Sequence, residues 1–214
     1  MSDMRGQLEP KCGWEEIILA MRRYSENPAI QLRGCFFLGT VANGHFHDQK
    51  IVDAGAHGVI IQIMRNLPEH AELQEMASAA LEVIANSTDE IKRQLCDAGA
   101  PEAMCKTMRT FGSNSDVQVQ NVLGVASLAL SDCGAADRFV NGAHLLIQDA
   151  AGRHSHLAGF CCAALTALCR NCNHDTSLQL LEDRSVNTIC QALAQDLLPR
   201  HQEKGSLHQV DFCC

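Results

Sequence analysis

The sequence predicts an all-α fold, organised as an α-solenoid in which similar helical units stack on one another. The first observation behind this is a repeat: segment 17–22, Ile-Ile-x-x-Met-Arg, returns 43 residues later as segment 60–65, and Gln31 returns as Gln74. The second is that apolar residues recur at helical spacing in each copy, and no segment has the pattern of a strand. A period of this length filled with helices is typical of solenoids with two or three helices per repeat.

A third copy of the repeat follows at an offset of 44 residues. Asp-Ala-Gly-Ala at 53–56 returns at 97–100, and Gln118 follows at the position of the earlier glutamines. Since such folds grow by stacking, we expect one continuous repeat domain over 14–198. The predicted segments are an N-terminal stretch 1–13, repeats at about 14–45, 46–88, 89–132 and 133–174, a partial unit at 175–198, and a tail at 199–214.

Each repeat is predicted to contain a short helix, a turn at glycine, a second helix and a long third helix. In the second repeat these helices are Asp48–Ala54, Gly58–Asn66 and Glu69–Ala85, with Gly55 at the turn. Glycine recurs at this position in the next two repeats, because it tolerates the left-handed conformation that a sharp helix stop requires. The recurring glycine is therefore interpreted as a structural residue.

Helix starts are indicated by capping residues in three repeats. Asn27-Pro28 places a cap residue before a proline at the first helical position, and Ser87-x-x-Glu90 and Ser115-x-x-Gln118 match a capping box. The long third helices are predicted at Ala29–Asn43, Glu69–Asn86, Asp116–Leu130 and Leu157–Arg170.

The repeat resembles the armadillo repeat in content and spacing. The resemblance is carried by Ile-Val-Asp-Ala-Gly-Ala at 51–56, an apolar second helix, and Leu-Gln-Glu-Met-Ala-Ser-Ala-Ala-Leu-Glu-Val-Ile-Ala-Asn at 73–86, and it covers roughly residues 14–198. It implies about four three-helix repeats plus terminal helices, stacked in a right-handed superhelix whose third helices line a concave groove. HEAT repeats are the near alternative, and the glycine turn after a short first helix favours the armadillo type.

The groove positions differ from those of armadillo proteins that import nuclear cargo. Those proteins carry Trp on the third helix and Asn four residues later, to clamp the backbone of a bound peptide. The paired positions here are Phe36 and Thr40, Ala79 and Val83, Leu123 and Ser127, and Ala163 and Ala167. No repeat carries Trp followed by Asn, so basic nuclear-localisation peptides are not the expected ligands. A basic, catenin-type groove is not indicated either.

The predicted groove floor is mostly small and apolar, with Glu75 and Gln120 nearby. Such a floor suits an extended or helical protein segment that binds by burying apolar anchors. We therefore predict a non-enzymatic scaffold or adaptor that binds another protein. Two alternatives stay open: a structural subunit packed permanently in a larger assembly, and self-association.

Composition limits the other function classes. The net charge is −8 and the basic residues are scattered, whereas phosphate binding needs a concentrated basic face, so no nucleic-acid partner is expected. No apolar run approaches the roughly 18 residues of a membrane span, and the first residues lack the apolar core of a signal peptide, so we expect a cytoplasmic protein with a nuclear location left open. No phosphate-binding loop, nucleophile elbow or HExxH motif occurs, so we predict no enzymatic activity and no cofactor.

Twelve cysteines invite two chemical alternatives to a binding scaffold. Most fall where the helical pattern predicts burial, where Cys acts as a small apolar residue. The cluster at 161–174, Cys161-Cys162 followed by Cys169-Arg-Asn-Cys172-Asn-His174, contains a CxxC and a His that can begin a zinc site. Because Cys169 aligns with Ala85 of the second repeat, we expect a core residue and no metal. The terminal Cys213-Cys214 leaves lipid anchoring as a further alternative.

Overall fold

All regular secondary structure in the described part of the chain is helical. The structure is a computed structural model, and it describes residues 13–43, 48–130, 135–139 and 142–171. These residues contain helices and no strand, which confirms the all-α prediction.

The helices of the described residues follow one another with short connections. They are α1 Trp14–Arg23, α2 Pro28–Ala42, α3 Asp48–Asp53, α4 Ala56–Asn66, α5 Ala71–Ala85, α6 Asp89–Ala98, α7 Ala100–Thr110, α8 Ser115–Ala129, α9 Ala135–Phe139, α10 Ala143–Arg153 and α11 Ala158–Asn171, the last preceded by a 3-10 helix at Ser155–Leu157. The predicted partial repeat at 175–198 and the tail lie outside the described residues.

Each helix packs against the helix three elements further along the chain. The long helices α2, α5, α8 and α11 form one row of neighbours, and α1, α4, α7 and α10 form a second row behind them. The short helices α3, α6 and α9 contact one another in the same order. The core lies between the two rows of longer helices, so one side of α2, α5, α8 and α11 faces solvent.

Small side chains bring the long helices close together. A Cβ atom placed on Gly39 of α2 would lie 3.4 Å from Ala80 Cα on α5, and one placed on Gly124 of α8 would lie 2.7 Å from Met104 Cε on α7. The chain has few large aromatic side chains to fill its core. Close approach of the helices keeps the interior at the high packing density that is typical of proteins.

The turn glycines have the left-handed backbone that the sequence predicted. Gly55, Gly99 and Gly142 have φ angles of +83°, +90° and +100°. Beside the first turn, Arg22 Nη2 donates a hydrogen bond to Ala54 O at 3.2 Å, and a Cβ on Gly55 would lie 2.6 Å from that nitrogen. Glycine therefore serves two needs, a positive φ and space for the arginine.

The recurring Met-Arg motif is explained by the same contact. Arg65 Nη2 donates to Ala98 O at 3.1 Å, which repeats the bond between Arg22 and Ala54 one unit later. Each arginine thus ties the end of one second helix to the end of the short helix in the next repeat.

The recurring glutamines cap the second helices from inside the core. Gln74 Nε2 donates to Met64 O at 3.2 Å and to Leu67 O at 3.0 Å, both at the end of α4. Gln31 and Gln118 make the corresponding pairs of bonds to the ends of α1 and α7, at 2.7 to 3.0 Å. The amide thereby satisfies carbonyl oxygens that the helix leaves free.

Two of the three predicted capping residues lie one residue away from the observed caps. Asn27 caps α2 as expected, because its Oδ1 accepts from Ala29 N at 3.1 Å. The cap of α6, however, is Thr88 and not Ser87, and the cap of α8 is Asn114, whose Oδ1 accepts from two backbone N–H groups. The reason is geometric: Thr88 and Asn114 have the extended backbone that a cap residue needs.

Candidate interaction face

We call the solvent-facing side of α2, α5, α8 and α11 the four-helix face. Its register follows from burial: seven of the nine positions buried in α8 are buried again 40 residues later, in α11 or in the 3-10 helix before it. The pairs are Val117 and Leu157, Gln118 and Ala158, Asn121 and Cys161, Gly124 and Ala164, Val125 and Leu165, Ser127 and Ala167, and Leu128 and Leu168. The offset is shorter than in the earlier repeats because only His154 separates α10 from the 3-10 helix at 155–157, which aligns with the start of α8, whereas residues 111–114 separate α7 from α8.

Eight of the ten predicted groove residues have accessible side chains. Phe36 is 62% exposed, Thr40 and Ala163 are exposed, and the other five are partly buried: Glu75, Ala79, Val83, Gln120 and Leu123. Thr40 Oγ1 donates to Phe36 O at 2.8 Å, so that hydroxyl is used within its own helix. The four-helix face at these positions is therefore mainly apolar.

The remaining two predicted groove residues do not offer a surface. Ala167 is 1% exposed and Ser127 is 8% exposed. Ser127 Oγ donates to Asn86 Oδ1 of the neighbouring α5 at 2.8 Å, so it joins two helices. Within the described residues, both side chains pack between repeats. Val83, which has the position of Ser127 in α5, is more accessible.

The structure adds two apolar residues that the sequence prediction omitted. Met76 and Phe160 occupy the position of Gln120 in α5 and α11, and Phe160 is 44% exposed. Offsets of 44 and 40 residues from Gln120 identify both, so the signal was present in the repeat. With Phe36 and Leu123, they form a series of apolar side chains that crosses all four helices.

Three carboxylates lie beside this apolar series. Glu72 and Glu75 are on α5, Asp116 is on α8 at the position that corresponds to Glu72, and each lies one helical turn before a residue of the face. Partial burial raises the pKa of the Glu75 carboxyl above its usual value, and the charges of Asp116 and Glu72 raise it further. No ion pair within the described ranges involves these three carboxylates.

Four of the six described cysteines are buried in the core. Burial raises the pKa of the Cys35 thiol to about 12, that of Cys105 to about 11 and that of Cys161 to about 12. Because the thiolate is the nucleophile and the metal ligand, these side chains are poorly suited to either task. Within the described ranges no three His, Cys, Asp or Glu side chains are grouped to hold a metal ion. Cys172, His174 and Cys213-Cys214 lie outside those ranges.

No helix of the described chain combines the length and the apolar character needed to cross a lipid bilayer.

Comparison with known proteins informs the fold but not the function. No family model matches the chain, and no curated protein matches it. Two similar solved structures are crystal structures of engineered proteins from the Northeast Structural Genomics Consortium. One is 20% identical with a TM-score of 0.66, covering 90% of this chain and 74% of its own. The other is 22% identical with a TM-score of 0.66, covering 84% and 67% respectively.

Proposed function

We propose that this protein is an armadillo-type solenoid that acts as a non-enzymatic scaffold, binding a segment of another protein along the four-helix face. The observation that carries the proposal is the series of accessible apolar side chains across α2, α5, α8 and α11. Of the exposed large apolar residues described, Phe36 and Phe160 belong to these helices, and Leu130 directly follows α8. Clustered apolar exposure of this kind is typical of protein interaction sites.

The armadillo assignment is supported by the internal order of the repeat. A short helix, a glycine with positive φ, a second helix and a longer third helix follow one another in the units 48–85 and 89–129. Equivalent helices of consecutive units pack side by side. This is the arrangement expected of a stacked repeat protein.

The recurring residues and the variable residues have different roles, and this difference supports binding rather than catalysis. The recurring glutamines and glycines shape each unit and the recurring arginines join it to the next, and they lie behind or beside the four-helix face. The accessible residues of the face vary from unit to unit, from Phe36 to Ala79 and Leu123. A fixed support with a variable surface is how repeat proteins acquire different partners. Each well-buried apolar anchor of a partner would contribute about 1.5–3 kcal/mol.

The test uses a displayed library of random peptides selected against the full chain. We expect selected peptides to bind the wild type and to lose affinity at least tenfold for the double variant Phe36→Asp/Phe160→Asp, because the charges desolvate at the contact. Both residues are well exposed, so the variant should keep its helical circular dichroism and unfolding midpoint. The matched control is Leu19→Asp/Leu145→Asp, two exposed leucines of α1 and α10 outside the face. Equal loss in both double variants, or none in either, contradicts the proposal.

A second candidate, a structural subunit of a larger assembly, is favoured by the α1–α2 end of the stack. Ile17 and Val41 are partly buried there, whereas the corresponding Ile60 and Ile84 are fully buried. The described residues thus leave apolar side chains at this end incompletely covered. Size-exclusion chromatography with light scattering separates the two candidates, since a stable monomer argues against an obligate subunit.

A further inference from the structure

The acidic residues beside the four-helix face lie where a bound segment would pass. Glu75 precedes Ala79 by one helical turn, and Glu72 precedes Met76 by one turn. On the neighbouring helix α8, Asp116 has the same relation to Gln120. Side chains four residues apart share one side of a helix, so these carboxylates flank the apolar residues on α5 and α8.

No ion pair within the described ranges includes any of the three carboxylates. The described ion pairs join Lys92, Arg93, Arg138 and Arg153 to other carboxylates, none of them on the four-helix face. Partial burial, with repulsion from Asp116 and Glu72, holds the pKa of Glu75 above its usual value. A cation brought next to the three carboxylates would therefore gain attraction and relieve repulsion together.

The groove next to the face continues the same combination of apolar and acidic side chains. Between the starts of α2 and α5, an open groove is lined by Pro28, Ala29 and Leu32 of α2, by Ala71, Glu72 and Leu73 of α5, and by Glu69 and His70 just before α5. Glu72 thus borders both the groove and the apolar series. A segment lying here meets apolar surface and negative charge at neighbouring positions.

We infer that the segment bound by the four-helix face carries Lys or Arg side chains next to an apolar anchor, with the cations placed against Glu72, Glu75 and Asp116 and the anchor against Met76, Ala79 and Leu123. The inference rests on the proposed function and specifies the chemistry of its partner. Complementary charge at such a contact selects partners and speeds their association, while burial of the anchor supplies affinity.

The test compares two variants that remove the same net charge. Glu72→Gln/Glu75→Gln/Asp116→Asn neutralises the carboxylates beside the face, and Glu15→Gln/Glu16→Gln/Glu102→Gln neutralises three exposed carboxylates of α1 and α7. The probe is a synthetic peptide chosen from the displayed library by selection on the wild type. We expect the selected peptides to be enriched in Lys or Arg at a fixed spacing from an apolar residue. We expect the first variant to bind the probe about tenfold more weakly and the second to change affinity less than about twofold.

Three results would overturn the inference and leave the proposed function intact. They are selected peptides without enrichment in Lys or Arg, an unchanged affinity in the first variant, and an equal loss in both variants, which would indicate attraction to net charge alone. Failure to select any peptide that binds the wild type would instead contradict the proposed function, and the inference with it.

Discussion

Thr107 Oγ1 donates a hydrogen bond to Gln74 Oε1 at 2.7 Å, and both side chains are buried. The bond joins α7 to the glutamine that caps α4, so it links two successive repeats through the core. One repeat earlier, Ile63 stands at the position of Thr107, and Gln31 Oε1 is buried without a hydrogen-bond partner. The cap itself is therefore repeated, but the link to the next unit is made only where a hydroxyl is present.

Replacing Thr107 with Val should lower the free energy of unfolding by about 1–3 kcal/mol, because it keeps the shape and leaves Gln74 Oε1 buried without a donor. Urea denaturation followed by circular dichroism measures the change. The matched pair is Ile63→Thr and Ile63→Val, which differ only in the hydroxyl. We expect the Thr variant at 63 to be at least as stable as the Val variant, because Gln31 Oε1 gains a donor. A Thr107→Val protein as stable as the wild type would show that the link contributes nothing.

Gly99 provides a test of the turn that joins α6 to α7. Its φ of +90° disfavours any residue with a Cβ, and the space beside it is occupied by the Arg65 guanidinium. Gly99→Ala should therefore destabilise the protein by about 1–3 kcal/mol, measured as the shift in urea midpoint. Gly58→Ala is the control, since Gly58 is exposed in α4 with no neighbour within 4 Å, and alanine there should raise stability by roughly 0.5–1 kcal/mol. Similar effects of the two substitutions would contradict this account of the turn.

The sequence predicted the helical class and the turn glycines because both follow from local rules. Gly55 and Gly99 recur where a helix must stop, and a left-handed stop requires glycine. The recurrence of Gln74 was equally visible, but its function was not, since the carbonyl groups it caps lie 7 and 10 residues earlier along the chain. Recurrence marks a structural position, and the partner atoms become known only when the helices are packed.

The candidate face was predicted in register, and eight of its ten predicted residues are accessible. Alignment of the third helices placed Ala163 and Ala167 correctly with Leu123 and Ser127, and burial follows the same register. It did not show that Ser127 is buried and donates a hydrogen bond to Asn86, because this contact depends on the distance between helices. It included Glu75 but missed Glu72 and Asp116, because local periodicity does not report charge that converges from two helices.

The buried thiols should be inert in the folded protein. Because burial raises the pKa values of Cys35, Cys105 and Cys161 to between about 11 and about 12, almost no thiolate forms near neutral pH. Iodoacetamide should leave these residues unlabelled in the native state and label them in concentrated urea, as read by mass spectrometry of peptides. Cys162, which is partly exposed, is the internal reference and should react before these three thiols. Rapid native labelling of Cys105 or Cys35 would show that the core opens locally.

Glu75→Gln should stabilise the fold at neutral pH. Burial, Asp116 and Glu72 raise the Glu75 pKa above the ordinary value of 4.5, so ionisation of this group costs the folded state more than the unfolded state. The contribution of Glu75 to stability is therefore fully present at pH values below its pKa in the unfolded state. It is lost as the pH rises through the higher pKa of this group in the folded state.

The variant should therefore exceed the wild type in free energy of unfolding at neutral pH, by tenths of a kcal/mol because the group is partly exposed, and the difference should vanish in acid below both pKa values. Urea denaturation across this pH range measures the difference. The control is Glu16→Gln, because Glu16 is an exposed residue of α1. A difference that persists in acid would have another cause. A stabilising substitution that also weakens binding of a basic peptide would show that this carboxylate is retained for recognition at a cost in stability.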